Sequence, residues 1–164
     1  MTFWKSEIVT PSKMGFEFLN EPALSGNFEI ISRSVDSLNE KWSPVVRSKH
    51  SEIKNHYNEL RISLREKSGQ RRHMELYFRV FDDGAAFRYK LPRAEKIGDR
   101  QIVKELTSFN IPGDPKAWIV EYSGGYSSPH EDEFFEHSLS YLNEKSITGI
   151  PLLMEFGDDC WMAI

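Results

Sequence analysis

The strongest constraint in this chain is a pair of alternating segments joined by a tight turn. Within residues 74–81, Met74, Leu76, Phe78 and Val80 share one face of an extended chain, and Glu75, Tyr77 and Arg79 share the other. Asp82-Asp83-Gly84 supplies residue types that tolerate positive φ, and alternation resumes through Ala85, Phe87, Tyr89 and Leu91. The pattern predicts an antiparallel hairpin, central in its sheet, with Leu76, Phe78, Phe87 and Tyr89 in the core.

Other segments repeat the theme. Leu60-Arg61-Ile62-Ser63-Leu64-Arg65 alternates and is closed by Ser68-Gly69, while Phe16-Glu17-Phe18 and Phe28-Glu29-Ile30 read as shorter strands. Leu152, Met154 and Phe156 lead into Gly157-Asp158-Asp159 and a last strand over residues 160–164. Short strands punctuated by turns predict an all-β fold, either an antiparallel β-sandwich or a barrel. Two stretches show helical signals. Ile53, Tyr57 and Leu60 have i, i+4, i+7 spacing, in competition with a strand running into Leu60. Ser128-Pro129-His130-Glu131 has the form of a capping box leading to Phe135, Leu139 and Leu142, which admits one short helix near 129–142.

Composition limits the function. The 164 residues are 39% hydrophobic and 13% aromatic, enough for a packed core in one domain. Against 25 Asp and Glu stand 21 Lys and Arg, a net charge of −4, which argues against nucleic acid as the main partner. The longest apolar run, Ile150-Pro151-Leu152-Leu153-Met154, falls far short of the roughly 20 residues of a membrane-spanning helix, so no membrane partner is expected. Met1-Thr2-Phe3-Trp4-Lys5-Ser6-Glu7 lacks the basic-then-apolar order of a signal peptide. The single cysteine, Cys160, excludes an internal disulfide or a CxxC metal site and reads as core filler.

Few residues suggest chemistry directly. The five histidines form no HxH or HExxH, so no zinc site is supported. His130 and His137 flank Glu131-Asp132-Glu133 and Glu136, a run best read as a solvated acidic face. Nucleophile-elbow, phosphate-loop and dinucleotide motifs are absent, and Ser123-Gly124-Gly125 is best explained as turn glycine. Arg71-Arg72, beside Gly69, read as decoration on a hairpin end. The irregular, aromatic stretch 109–128 stands out, because long loops of this kind often carry function. Its Trp118, Tyr122 and Tyr126 are the candidate carbohydrate contacts, since the C–H face of a pyranose is apolar and stacks on aromatic rings. For Trp118 alone, closing the end of the sandwich core is the simpler explanation.

Longer phrases add a family. Trp42-Ser43-Pro44-Val45, Ser51-Glu52-Ile53-Lys54-Asn55-His56-Tyr57-Asn58-Glu59-Leu60 and Arg79-Val80-Phe81-Asp82-Asp83-Gly84-Ala85-Ala86-Phe87-Arg88-Tyr89 resemble the N-terminal domain of glycoside hydrolase family 97. So do Pro11-Ser12-Lys13-Met14-Gly15-Phe16-Glu17, Phe109-Asn110-Ile111-Pro112-Gly113-Asp114 with Ala117-Trp118, and Pro151-Leu152-Leu153-Met154. The resemblance runs from about Ile8 to Ile164. It implies a galactose-mutarotase-like supersandwich that packs on a catalytic (β/α)₈ barrel in bacterial α-glucosidases and α-galactosidases, typically exported to the periplasm or beyond. It also implies extended chain around Asn55-His56-Tyr57.

Catalytic carboxylates and a calcium ion belong, by the same resemblance, to the barrel. One calcium-binding Glu is expected just after the strand matching Trp161-Met162-Ala163-Ile164, beyond Ile164. The expectation is therefore a single, incomplete domain over residues 1–164, short of the family pattern at both ends, with no catalytic residue, no metal ligand and no cofactor of its own. Its expected partners are the barrel and a carbohydrate. The competing readings are a stand-alone carbohydrate-binding module and an inactive gene fragment.

Overall fold

The computed structural model describes the chain except for residues 1, 4, 5, 93–99, 123–130 and 158, and describes residues 2, 3 and 6 by backbone alone. Its elements are β1 (Thr2–Phe3), β2 (Ser6–Glu7), β3 (Phe16–Phe18), β4 (Glu21–Leu24), β5 (Phe28–Trp42), β6 (Ile53–Glu66), β7 (His73–Val80), β8 (Ala85–Lys90), β9 (Ile102–Glu105), β10 (Lys116–Ile119), β11 (Phe135–Ser138), β12 (Leu153–Glu155) and β13 (Trp161–Ala163). All described pairings are antiparallel. The chain forms two compact units, Met14–Leu106 and the combination of Met1–Lys13 with Thr107–Ile164.

The unit Met14–Leu106 is a two-sheet sandwich. A sheet of order β5-β6-β7-β8 faces one of order β4-β3-β9. The core lies between them, with Phe16, Phe18 and Leu24 from the smaller sheet against Leu64, Met74 and Leu76 from the larger. The expected hairpin is present as β7 and β8, with Leu76 paired to Tyr89 and Phe78 to Phe87. It lies at one end of the sheet order rather than at its centre, because the longest pairing is between β5 and β6. The Asn55-His56-Tyr57 segment is strand, so register with β5 overrides the helical spacing. Gly15 is required where β3 opens: its φ is +128°, and a side-chain carbon there would run into the Leu24 carbonyl.

The outward face of the larger sheet is not simply polar. Tyr77 is 8% exposed, with the Arg88 guanidinium 4.4 Å and the Arg61 guanidinium 5.3 Å from its ring centre. Its hydroxyl donates to Glu75 at 2.7 Å. Arg79 lies 4.2 Å over Tyr57 and donates to Glu59 at 2.6 Å. Guanidinium planes thus shield the tyrosine rings from water while remaining hydrated at their edges.

At Arg72 the sequence reading fails outright. It is not hairpin decoration but buried, at 5% exposure. Its Nε and Nη2 donate to the Glu66 carboxylate at 2.8 and 2.6 Å. Nη1 donates to the Pro22 carbonyl at 2.8 Å, and Nη2 also donates to the Ala23 carbonyl at 3.0 Å. One guanidinium therefore joins the β6–β7 turn to β4, the end strand of the smaller sheet, and satisfies its outward-facing carbonyls.

In the other unit, β11-β10-β12-β13 form one sheet and β1-β2 a second. Ala117, Ile119 and Met154 are wholly buried, with Ile111, Phe135, Leu142, Leu152, Met162 and Ile164 packed around them. No α-helix forms over residues 131–142. Phe135–Ser138 pairs with β10 instead, and only a single 3₁₀ turn follows at Leu139–Tyr141. The Ser128-Pro129-His130 part of the helical signal lies outside the described residues. Tertiary pairing supplies β11 with hydrogen bonds and packs a half-buried Phe135 against the core, which outweighs a local capping pattern.

Replacing Arg72 by Met should destabilise the protein by roughly 3–5 kcal/mol, since it strands a shielded carboxylate. Lys should recover only part of the loss, lacking the planar fork. The Arg72 hydrogen bonds hold Glu66 below the ordinary carboxylate range. Its contribution is thus complete above the unfolded-state value of about 4.3 and fades as pH falls through the lower native one. Urea midpoints across that range should show an acid decline that Glu66→Gln flattens. An Arg72→Met cost under about 1 kcal/mol, typical of an exposed pair, would remove the clamp from this description.

Candidate functional site

Strand β10 sorts its residues by alternation. Ala117 and Ile119 turn inward and are fully buried, so Lys116 and Trp118 turn outward. Register extends that outer face across the sheet. Lys116 is opposite Glu155, which is opposite Trp161, and Trp118 is flanked by Glu136 and Leu153. The face is therefore built from four adjacent strands, β11, β10, β12 and β13, and is not a loop.

Its centre is aromatic. The rings of Trp118 and Trp161 have centroids 4.9 Å apart at an angle of 36°. Trp118 is half-buried, whereas Trp161 keeps 47% of its surface exposed. Lys116 Nζ lies 6.0 Å from the centre of the Trp118 ring, 3.2 Å from Glu136 and 3.6 Å from Glu155. The hydrogen bond to Glu136 is the main cause that raises the Lys116 pKa above its ordinary value, so this ammonium stays charged at every physiological pH.

The predicted aromatic contacts separate. Trp118 belongs to strand β10 rather than to an irregular loop, because Ala117 and Ile119 anchor that strand in the core. Tyr122 is half-buried, its N–H donates to the Ile147 carbonyl at 2.8 Å, and its hydroxyl end packs against Gly149. Tyr126 lies outside the described residues. Trp161 is not among the contacts the sequence predicts, although a signal for it is present. Once Met154 and Met162 are placed inward on the terminal hairpin, Trp161 must point outward beside Glu155.

Elsewhere, a depression at the β7–β8 edge is lined by Tyr77, Arg79, Ala86, Phe87 and Arg88. His137 stacks on Tyr141, with ring centres 4.5 Å apart, and meets Phe135 edge-on rather than joining acidic neighbours in a cluster. Among the described residues no group of three or more His, Cys, Asp or Glu converges as metal ligands, and no helix is long and apolar enough to cross a membrane.

The family model described as "Glycosyl-hydrolase 97 N-terminal" matches residues 1–164. The chain belongs to this family. It is 26% identical over 161 residues to a retaining α-galactosidase of Bacteroides thetaiotaomicron, covering 93% of this chain and 23% of that protein. A probable retaining α-galactosidase of Streptomyces bingchenggensis is 34% identical over 79 residues, or 48% of this chain and 11% of that one. Among solved structures, a family 97 enzyme from Pseudoalteromonas sp. strain K8 in complex with acarbose aligns with TM-score 0.77 at 22% identity, covering 90% of this chain and 22% of that chain. A β-arabinopyranosidase aligns with TM-score 0.78, also at 22% identity, over 95% of this chain and 26% of that one. These structural matches agree with the all-β sandwich fold. The chain spans about a quarter or less of the length of these relatives.

Two indoles this close should couple in their electronic transitions. Circular dichroism is expected to show an exciton couplet that Trp118→Phe and Trp161→Phe each remove and that Trp42→Phe leaves intact. A couplet that survives both of the first two substitutions would contradict the pairing.

Proposed function

We propose that this chain is the non-catalytic N-terminal domain of an α-glycosidase, bracing a catalytic (β/α)₈ barrel and helping to shape its carbohydrate site. The observation that carries the reading is the family match over the whole chain, set beside the small share of each glycosidase that the chain spans. Glycoside hydrolysis canonically needs an acid and a second carboxylate, roughly 5–10 Å apart, facing each other across the bond. The two carboxylates of the tryptophan face, Glu136 and Glu155, are instead open to water and share one ammonium. The reading assigns calcium to the glutamate that the family pattern places after residues 161–164, at the junction with the barrel.

Exposed apolar surface supports the bracing role. On the inner face of the larger sheet, register lines up Val35, Leu60, Phe78 and Phe87, and Val35 remains 75% exposed. Trp42, Val45 and Val46, at the end of the β5–β6 arm, are 49%, 103% and 74% exposed. Apolar groups gathered in this way suit a packing interface. Trp118, Tyr122 and Tyr126 are the residues proposed for the sugar side. A second reading, a stand-alone carbohydrate-binding module, is favoured by the exposure of Trp161.

The purified 164-residue chain should not hydrolyse aryl α-galactosides or aryl α-glucosides, with or without added calcium. Calcium-dependent turnover that copurifies with the chain would overturn the non-catalytic reading.

A further inference from the structure

We infer that Trp161, backed by Trp118, is a stacking platform for a neutral pyranose, with Lys116 and its two glutamates as hydrogen-bonding partners for the ring hydroxyls. The inference rests on the carbohydrate reading above and moves its centre from the 109–128 stretch to the β10–β12–β13 face.

A pyranose offers two chemically different surfaces. Its axial C–H groups form an apolar patch about the size of an aromatic ring, while its equatorial hydroxyls need donors and acceptors around the rim. The sheet face supplies both. Trp161 has the open ring surface, and Trp118, packed 4.9 Å away and half-buried, fixes its orientation. Trp118 is thus a positioning residue. Lys116, Glu136 and Glu155 stand in the adjoining register positions and supply charged donor and acceptor groups. Lys116 is held between two carboxylates, so it enters the site already oriented.

Charge points the same way. One ammonium between two carboxylates leaves a local negative balance that disfavours an anionic ligand, while the adjoining Leu153 and Ala163 keep the rest of the face apolar. A neutral, many-hydroxyl ring satisfies the face without leaving a buried charge. Strand placement also matters, because rigid elements hold a stacking ring more closely than a loop does.

The test is a titration of the ¹⁵N-labelled chain, following the indole N–H signals of its four tryptophans. Maltose and melibiose should shift the Trp118 and Trp161 signals saturably, with millimolar affinity, and leave Trp42 in place. Sorbitol, which has hydroxyls but no pyranose face, should not. Trp161→Ala should weaken binding about fivefold or more, and Trp161→Phe by less, as expected for the loss of one stacking ring. Lys116→Met should weaken it with the Trp118–Trp161 couplet preserved. Amide spectra of Trp161→Phe check that the fold survives.

Three results would overturn the platform: sorbitol shifts equal to those of maltose, binding unchanged in Trp161→Ala, or no response of either indole up to about 100 mM sugar. Each leaves the non-catalytic domain reading standing, which turnover by the chain itself would overturn.

Discussion

The guanidinium of Arg72 holds together the parts of the unit Met14–Leu106 that hydrophobic packing alone leaves loosely matched. The larger sheet has strands of 15 and 14 residues, whereas the smaller one is built from strands of three and four. So short a sheet buries few side chains, and the carbonyls on its outer strand need partners. Arg72 provides them at Pro22 and Ala23 while remaining locked to Glu66. Arg100 adds a second cation to the same corner, donating to Glu21 at 2.9 Å and to Gln70 at 2.8 Å. Burial makes the arrangement strong only as a complete set, because any member left alone is a shielded charge.

The other unit solves a different problem with simpler means. Its sheet puts Ala117, Ile119, Met154 and Met162 on one side and Lys116, Trp118, Glu155 and Trp161 on the other. The inner row fixes strand register, since a slip by one residue would exchange the two sets. Register then decides which outward side chains meet. The candidate site is a by-product of core packing: Trp118 and Trp161 are neighbours because Ala117, Met154 and Met162 are aligned beneath them.

Legibility followed the range of the interactions. The β7–β8 and β12–β13 hairpins are legible because their paired residues lie at most 15 positions apart, from Glu75 to Lys90, with the turn residues between them. Strand β5 was read only at Phe28-Glu29-Ile30, since Ser32 to Lys41 is mostly polar and exposed and its strand state comes from pairing with β6. The capping-box signal before Phe135 was local, and the β10 pairing that defeats it joins residues some 20 positions apart. Arg72 looked like surface because burial of an arginine depends on carbonyls 50 residues earlier in the chain. Trp161 gives no local sign of its role, because its outward position follows from strand register with Glu155 and not from a loop. The family resemblance supplied what periodicity lacked, namely the architecture and the extended state of residues 53–60.

The central claim is that this chain serves a glycosidase barrel without performing its chemistry. The most direct measurement grafts the chain in place of the matching segment of the Bacteroides thetaiotaomicron retaining α-galactosidase and compares kcat/KM with that of the same enzyme lacking the segment. The account predicts that the graft restores α-galactoside turnover well above the truncated enzyme, and that Arg72→Met in the graft lowers the thermal midpoint of the restored activity. A folded, monodisperse graft no more active than the truncated enzyme would contradict it.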